Sequence, residues 1–465
     1  MRRILLLLSL TMVCTSLSAT TTITPVPDDP ISTPIAKPHY EYFLDFFLSR
    51  DTKVLDQAVT HIKRNWSESD EILTLETIYF LRDQTYTLKL LVLLEKETGK
   101  NFQFDFNAWY DYIWSKDPTY TQDYFTFKAT LHSLIDTKFK TYFIDREQQS
   151  DIRLDEVRWG GVIQDGIPPL RNPEMIEASQ ARYLNDANIV FGIAVNGDVR
   201  AYPKRILAWH EMFTDTVGDL PVAGVYCTLC GTVILYKTEH EGVYYQMGTS
   251  GFLYRSNKLM YDKKTQSLWN TLLGKPVLGP LKDKNIQFEY LSVVTTTWGE
   301  WKKRHPDTKV LSLNTGHRRD YGEGVAYNQY FADDELMFNT PFKDKRLLNK
   351  QDILAIRLPE ETDETIAISS KYLKRRSIFK HKINGKAFTV FTDKSGAHRV
   401  FFTKEYTFDD YDKRFEATDA EGYIWKVTEN YLEHTGTGER LERLQSFNAF
   451  WFGFKAAFPE TTLIK

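Results

Sequence analysis

Two cysteines and one histidine are the residues whose types and spacing could do chemistry in this chain. Cys227 and Cys230 form a Cys-x-x-Cys motif, and Gly231 follows it directly. Thiolate sulfurs on such a bend bind Zn or Cu, because a Gly with positive φ lets backbone N–H groups turn toward the sulfurs. The same spacing also carries thiol–disulfide exchange, or a structural disulfide in an exported protein. The motif leaves these three interpretations open.

His210 is the candidate third ligand. It lies on the apolar side of a predicted helix that also carries Ile206, Phe213 and Val217, so it is either a hydrogen-bonded core residue or a partner of the two sulfurs. A water could fill the fourth position, or one of three side chains: Met260, Met247 or Asp262. A thioether would favour Cu(I), whereas an open position would favour a Lewis-acid zinc site.

Polar residues around the motif are predicted to line a pocket beside it, and they are Glu211, Ser250, Tyr254, Arg255 and Asn257. His210 and Glu211 are adjacent, and no Pro precedes Cys227, so the pattern excludes a zinc deaminase, which separates its His and Glu by one residue. No residue is identified as catalytic, and whether the protein is an enzyme stays open at this point.

Strands are predicted to position the cysteines, over 221–226 before them and 232–236 after them. The apolar run Ile189–Val195 predicts a further strand, and Asn196-Gly197 predicts the hairpin turn that follows it.

The later half of the chain contains an internal repeat. Trp298, Trp301 and Pro306 recur as Trp451, Phe454 and Pro459 at one constant offset. We therefore predict two copies of one α+β unit, over about 189–311 and 353–464. The second copy has no cysteine and no equivalent of His210, which indicates that it completes the architecture.

Residues 40–144 show apolar residues at helical spacing. The expected fold class is α+β, with an N-terminal all-helical (stacked-helix, HEAT-like) module over 39–150 followed by a duplicated mixed-sheet domain. The copy with the Cys/His site is expected over 151–350 and the copy without it over 351–465. The helical module could bind a protein partner, or only pack against the rest of the chain.

The N-terminus has the order of a secretory signal peptide. Arg2 and Arg3 precede an apolar run over 4–13 and a small-residue segment that ends at Ala19. We expect a signal peptide over 1–19, a Pro/Thr-rich linker over 20–38, and export to the periplasm or the cell exterior. Cys14 raises lipid anchoring as an alternative, but residues 11–13 fit that processing pattern poorly. No apolar run in the sequence is long enough to predict a transmembrane helix.

A chain of 465 residues with a formal net charge of -3 has no basic excess for nucleic acid. The small-molecule substrate, if there is one, cannot be read from the composition.

Several co-linear motifs over about 150–464 resemble an exported bacterial family of unknown function, DUF3179. They are segments 159–161 (WGG), 165–169 (DGIPP), 200–203 (RAYP), 210–212 (HEM), 226–232 (YCTLCGT), 250–257 (SGFLYRSN), 260–262 (MYD), 267–269 (SLW), 298–301 (WGEW) and 305–306 (HP). The resemblance implies the location of the site but no reaction. The sequence therefore favours an exported metal-binding protein with a Zn or Cu site, with a thiol–disulfide oxidoreductase and a non-catalytic scaffold as alternatives.

Overall fold

Helices precede sheets along the chain in the computed structural model, which describes residues 37–358 and 364–465. The predicted α+β class is confirmed. The signal peptide expected over 1–19, and all of the expected linker except its last two residues, lie outside the described residues.

The N-terminal part is helical, and aspartates begin three of its helices. The helices are α1 (Glu41–Leu48), α2 (Thr52–Arg64), α3 (Asp70–Phe80), α4 (Gln84–Thr98), α5 (Phe106–Ser115), α6 (Gln122–Ser133) and α7 (Lys140–Phe143). Asp51, Asp83 and Asp105 accept backbone N–H groups at the starts of α2, α4 and α5, which satisfies donors that have no partner inside the helix.

The middle part holds the cysteines and is mostly strand. Its strands are β1 (Val157–Trp159), β2 (Leu170–Arg171), β3 (Met175–Glu177), β4 (Ile189–Val195), β5 (Asp198–Pro203), β6 (Met212–Val217), β7 (Leu220–Cys227), β8 (Thr232–Lys237), β9 (Glu239–His240), β10 (Val243–Tyr244), β11 (Met247–Tyr254), β12 (Asn257–Asp262), β13 (Leu268–Asn270), β14 (Lys275–Leu278), β15 (Tyr290–Leu291), β16 (Val293–Thr297) and β17 (Lys309–Leu311). Its helices are α8 (Lys204–His210), α9 (Trp298–Arg304) and α10 (Asn328–Ala332).

These strands form three five-stranded sheets and a short β9–β10 ribbon. The sheet orders are β1-β11-β12-β13-β14, β15-β8-β7-β6-β2 and β16-β4-β5-β17-β3. The strand predicted over Ile189–Val195 is confirmed as β4, and Val195 pairs with Asp198 across the predicted Asn196-Gly197 turn. The strands predicted on both sides of the cysteines are confirmed as β7 and β8.

The C-terminal part contains the remaining elements. They are β18 (Asp352–Arg357), β19 (Thr365–Ser369), α11 (Ser370–Leu373), β20 (Ile378–Ile383), β21 (Lys386–Thr392), β22 (His398–Phe402), β23 (Phe408–Tyr411), β24 (Glu416–Asp419), β25 (Ile424–Val427), β26 (Tyr431–His434), β27 (Arg440–Glu442), β28 (Ser446–Phe450), α12 (Trp451–Ala457) and β29 (Thr462–Ile464). Their sheet orders are β28-β18-β19-β29, β20-β21-β22 and β23-β24-β25-β26-β27.

Two of the sheets share an arrangement of strands and helices. In one, β16, β4 and β5 pair antiparallel, and β5 pairs parallel with β17. In the other, β28, β18 and β19 pair antiparallel, and β19 pairs parallel with β29. Helices α9 and α12 follow β16 and β28, and each begins with a fully buried tryptophan, Trp298 or Trp451.

The helical part does not have a core of its own. Phe139, Tyr142 and Phe143 pack against Phe252 of β11, and the apolar face of β11–β14 belongs to the same buried cluster as helices α1–α7. The helices therefore cover one face of the β1–β14 sheet, and burial of these rings stabilises both parts together.

The helix that carries His210 is shorter than the sequence predicts. Helix α8 ends at His210 because Glu211 adopts a left-handed conformation with φ 56°. Phe213 and Val217, expected on the same helix, lie instead on β6, where they pair with Gly224 and Leu220 of β7. The spacing of these apolar residues is compatible with a helix and with a strand, and the hydrogen bonds to β7 stabilise the strand.

Candidate functional site

Cys227 and Cys230 are joined by a disulfide in the turn between β7 and β8. Their Cα atoms are 5.6 Å apart, and only 2% and 1% of the two side chains is exposed. Gly231 closes the turn with φ 63°, and a Cβ there would lie 2.8 Å from the ring of Phe450. Both the backbone conformation and the lack of space therefore require glycine at this position.

Residues from distant parts of the chain hold this turn in place. The Phe450 N–H donates to the Cys230 carbonyl at 2.8 Å, and the Tyr330 hydroxyl donates to the Leu229 carbonyl at 2.7 Å. Gly453 of α12 lies so close that a Cβ there would be 2.7 Å from the Cβ of Cys230. The cysteines thus sit where the middle and C-terminal parts of the chain meet.

A cavity of about 60 Å³ lies beside Cys227 and contains a buried ion pair. The Glu211 carboxylate accepts from Lys258 Nζ, Thr228 Oγ1 and Tyr327 Oη, each at 2.7 Å. These four residues and Cys227 line the cavity, and most of its remaining wall is apolar: Val162, Ile167, Leu229, Phe252, Leu253 and Met337. Because Met337 is 53% exposed, the cavity wall reaches the protein surface at this residue.

The carboxyl group of Glu211 is charged at neutral pH. Burial favours the neutral form of Glu211, but the charge of Lys258 and the hydrogen bonds from Lys258, Thr228 and Tyr327 outweigh burial, and the pKa of Glu211 is lowered. Burial, followed by the charge of Glu211, raises the pKa of Tyr327, so this residue keeps its hydroxyl proton. The cavity therefore places an ammonium group and two neutral hydroxyls close to a disulfide.

The imidazole of His210 is bound to other groups. Its Nδ1 lies 2.8 Å from the Pro168 carbonyl oxygen, and its Nε2 lies 2.6 Å from Tyr321 Oη. If Nδ1–H donates to Pro168, Nε2 accepts from the Tyr321 hydroxyl, and both nitrogens are satisfied. Burial lowers the pKa of His210 to about 4, so the ring is neutral at pH 7.

The described residues contain no group of three or more His, Cys, Asp or Glu side chains placed to hold a metal ion. The predicted Cys227, Cys230 and His210 ligand set therefore does not come together in this arrangement. Metal binding by these residues stays a prediction, and it would require both reduction of the disulfide and a movement of His210.

We expect His210 to make the protein sensitive to acid. The folded-state pKa of about 4 lies below the unfolded value of 6.5, so only the unfolded chain binds this proton as the pH falls through that window. The full contribution of neutral His210 to stability is present above pH 6.5. The free energy of unfolding should fall by about 2 kcal/mol between pH 7 and about pH 4.5. Urea unfolding at both pH values measures this loss, and His210→Gln should lose correspondingly less.

His240→Gln is the matched control for this measurement, because His240 lies in the short strand β9, away from the cysteine turn. It should lose as much stability in acid as the unchanged chain. An acid-induced loss that is the same in His210→Gln and His240→Gln would contradict the assignment to His210.

The three candidate fourth ligands have structural partners. Met247 and Met260 are fully buried in an apolar cluster with Trp269. Asp262 accepts hydrogen bonds from the backbone N–H groups of Thr265 and Ser267, and it therefore holds the turn between β12 and β13.

The predicted pocket residues divide into two groups. Glu211 lines the cavity beside Cys227. The other four lie outside the lining of that cavity and have structural partners. Ser250 donates a hydrogen bond to the Leu259 carbonyl, and Asn257 donates one to the Gly453 carbonyl. The guanidinium of Arg255 lies over the ring of Tyr254 and pairs with Glu156 at 2.6 Å.

Three cavity residues were missed by the reasoning from the sequence. Thr228 lies inside the Cys-x-x-Cys motif and could have been noted for its hydroxyl group. Lys258 is a charged residue directly before the apolar run 259–261 in strand β12, which is a signal for a buried partner. Tyr327 lies far away in the sequence, and no local pattern indicates its contact with Glu211.

A larger cavity, of about 850 Å³, lies in the helical part and not at the cysteines. It is lined mainly by apolar and aromatic residues of α1–α4, of α6 and the chain after it, and of β1, with Arg50 and Arg82 as its cations. No helix in the described ranges combines the length and apolar character needed to cross a lipid bilayer.

Fold and site together define an α+β protein with a Cys-x-x-Cys disulfide buried in a β-turn beside a Glu–Lys ion pair. The chain belongs to the DUF3179 family: residues 164–461 match the family that is described as "Protein of unknown function (DUF3179)". Comparison with curated proteins finds no match, and comparison with solved structures finds none either.

Proposed function

We propose that this protein is a thiol–disulfide oxidoreductase that uses the Cys227–Cys230 pair. The observation that carries the proposal is that the two cysteines lie at disulfide distance and that one of them, Cys227, lines a cavity with a buried ammonium group. A thiolate is the reactive form in exchange, and a nearby cation stabilises it.

A purely structural role for this disulfide would gain little. The stabilisation by a disulfide grows with the loop that it closes, and four residues give about 2 kcal/mol, against about 3 kcal/mol for fifteen. Strands β7 and β8 already tie these residues together, because Cys227 pairs with Thr232. Stabilisation of the fold therefore explains this disulfide poorly, and a redox role explains it better.

The proposed reaction is a two-electron exchange. A substrate thiolate attacks Sγ of Cys227, the bond between Cys227 and Cys230 breaks, and Cys230 leaves as a thiolate that takes up a proton. A second substrate thiolate then attacks the substrate sulfur of the mixed disulfide and releases Cys227, which takes up the second proton. The substrate becomes a disulfide, and the enzyme pair is reduced by the same two electrons. Another disulfide-containing molecule restores the pair by the reverse exchange.

The ion pair has a defined part in this proposal. The Lys258 ammonium stabilises negative charge on sulfur in the cavity, and Glu211 keeps Lys258 in place. Thr228 and Tyr327 fix the carboxylate of Glu211 in turn. These are positioning roles, because the bonds that form and break are between sulfur atoms.

Trapping of the mixed disulfide tests the proposal. In a Cys14→Ser background, Cys230→Ser should accumulate a mixed disulfide with glutathione at Cys227, because the second cysteine can no longer displace it. Cys227→Ser is the matched variant and should accumulate at least tenfold less, since Cys230 does not line the cavity. Mass spectrometry of the trapped protein measures both.

Equal labelling of the two variants, or a native disulfide that folded protein never exchanges with glutathione, would leave only a structural disulfide. Metal analysis of the reduced protein separates the remaining alternative. Stoichiometric Zn or Cu that is lost in Cys227→Ser would support the metal-binding hypothesis instead. The absence of both activities would favour the scaffold hypothesis, in which the cavity of about 850 Å³ in the helical part receives a partner.

We further infer that the chain contains a duplicated unit. The shared strand order of the sheets β16-β4-β5-β17 and β28-β18-β19-β29 supports this inference, as do the helices α9 and α12 at equivalent places. The caps of these helices support it too: Thr297 and Phe450 have φ values of -84° and -80°, and His305 and Phe458 have -133° and -129°. The HEAT-like character of α1–α7 stays a prediction.

Export is part of the same proposal. The sequence pattern over residues 1–19 supports a signal peptide, and an exported protein meets the oxidising conditions in which disulfides persist. The periplasm or the cell exterior is therefore the proposed location.

A further inference from the structure

A second cavity, of about 150 Å³, lies on another side of the cysteine turn, between the middle and C-terminal parts of the chain. Tyr226 of β7 and Gly231 of the turn form part of its wall. From its lining and charge we propose that this cavity binds a small anion through oxygen acceptors, as phosphate or a carboxylate provides. The inference does not depend on the redox function.

Two residues of the lining each have a buried polar atom without a hydrogen-bond partner among the described residues. Ser370 is 2% exposed, and its Oγ makes no hydrogen bond. His398 is 5% exposed, and its Nε2 makes none, although its Nδ1 lies 3.0 Å from Thr392 Oγ1. A buried polar group without a hydrogen-bond partner destabilises the folded protein by about 1–3 kcal/mol. A ligand that forms hydrogen bonds with both atoms would remove this penalty, which favours its binding.

Both atoms can act as donors. If the Thr392 hydroxyl donates to Nδ1, the proton of the neutral imidazole is on Nε2 and points away from Thr392. Burial lowers the pKa of His398 to about 3, so the ring is neutral at pH 7. A hydroxyl and an imidazole N–H in one small cavity suit an acceptor-rich ligand.

The charges of the lining favour a negative ligand. Lys204 and Lys374 line the cavity with a single carboxylate, Asp352, which leaves an excess of one positive charge. Neither lysine forms a salt bridge with a described residue; Lys204 lies over the ring of Phe331 at 5.0 Å. Desolvation raises the pKa of Asp352 although both lysines act against it. The neutral form of Asp352 is therefore favoured, and this form repels an anion less than a carboxylate does.

The size of the cavity limits the occupant to a few non-hydrogen atoms, because one water takes up about 30 Å³ in the liquid. Residues on both sides of the contact between the two chain parts contribute to it, Lys204 before the turn and Ser370 and His398 in the C-terminal part. A macromolecular ligand is therefore excluded, and a free small anion fits.

Isothermal titration calorimetry of the native full chain tests the proposal with inorganic phosphate and with acetate as separate probes. We expect saturable binding of at least one, weakened about tenfold or more in Lys374→Ala because a charge-assisted hydrogen bond is lost. Lys371→Ala is the matched control, because it removes the same charge from the same short helical segment without touching the cavity. Ser370→Ala should also weaken binding, severalfold.

Binding of phosphate but not acetate, or the reverse, identifies the source of the anion. If neither probe binds saturably, or if Lys371→Ala weakens binding as much as Lys374→Ala, the proposal is overturned. Cys227→Ser should bind the anion like the native chain, so failure of the redox proposal and failure of this one are distinguishable.

Discussion

Replacing Glu429 by alanine is expected to lower the free energy of unfolding by about 3–5 kcal/mol, because it leaves the buried guanidinium of Arg304 without its carboxylate and leaves Arg399 with Asp393 alone. Arg399 binds both oxygens of Glu429 at 2.9 Å, and Arg304 binds one of them at 2.6 Å. All three side chains are at most 6% exposed. Burial acts against the charged form, yet the charges of Arg399 and Arg304 hold the pKa of Glu429 well below its usual range.

Glu433→Ala is the matched control, since Glu433 pairs with Arg440, which is 55% exposed. Such a surface pair contributes about 1 kcal/mol or less. Guanidinium unfolding followed by circular dichroism compares the two variants. Similar losses in both would mean that the buried network contributes no more than the surface pair. Because Arg304 ends α9 and Glu429 lies in the C-terminal part, a large loss would also show that this contact joins the two parts.

Replacing Lys258 by methionine should destabilise the fold by a similar amount, about 3–5 kcal/mol, because it leaves Glu211 charged and buried without its counter-ion. Lys258 and Glu211 are 6% and 9% exposed and lie 2.7 Å apart. Adding Glu211→Gln to Lys258→Met should restore part of the loss, about 1–3 kcal/mol, since a neutral amide costs less to bury than a carboxylate. Urea unfolding of the single and double variants measures the coupling.

Lys264→Met controls for the loss of a lysine near the same strand. Lys264 is exposed, so its replacement should change stability by about 0.5 kcal/mol or less. A double variant that is less stable than Lys258→Met would contradict the view that an unpaired Glu211 causes the loss.

Local patterns predicted much of the fold around the cysteines. The run of apolar and β-branched residues over Ile189–Val195 and the Asn196-Gly197 turn were readable because both depend on neighbouring residues only. Helix α8 was predicted too long, since the spacing of Phe213 and Val217 suits a helix and the left-handed Glu211 carries no clear sequence signal. The pairing partner β7 decided that case.

The sequence predicted where the site lies but not which side chains contact each other there. Cys227, Cys230 and Glu211 do share one place, whereas His210 is held by Tyr321 and Pro168. Its partner Tyr321, like the Glu211 partner Tyr327, comes from a loop more than a hundred positions further along the chain. Such contacts depend on the tertiary fold, and a single sequence gives no pattern for them. The cavity with Lys374 and His398 was missed for the same reason.

The packing of the helices on strands β11–β14 has a consequence for relatives of this protein. The region matched to the family begins at residue 164, after the last of these helices and after the edge strand β1. The family segment alone therefore presents Phe252, Tyr261 and Leu268 without the side chains that bury them here. A homologue built only of that segment would need different residues at these positions, or another polypeptide to shield them from water. The character of these three positions would then indicate, from sequence, which homologues carry an N-terminal helical cover.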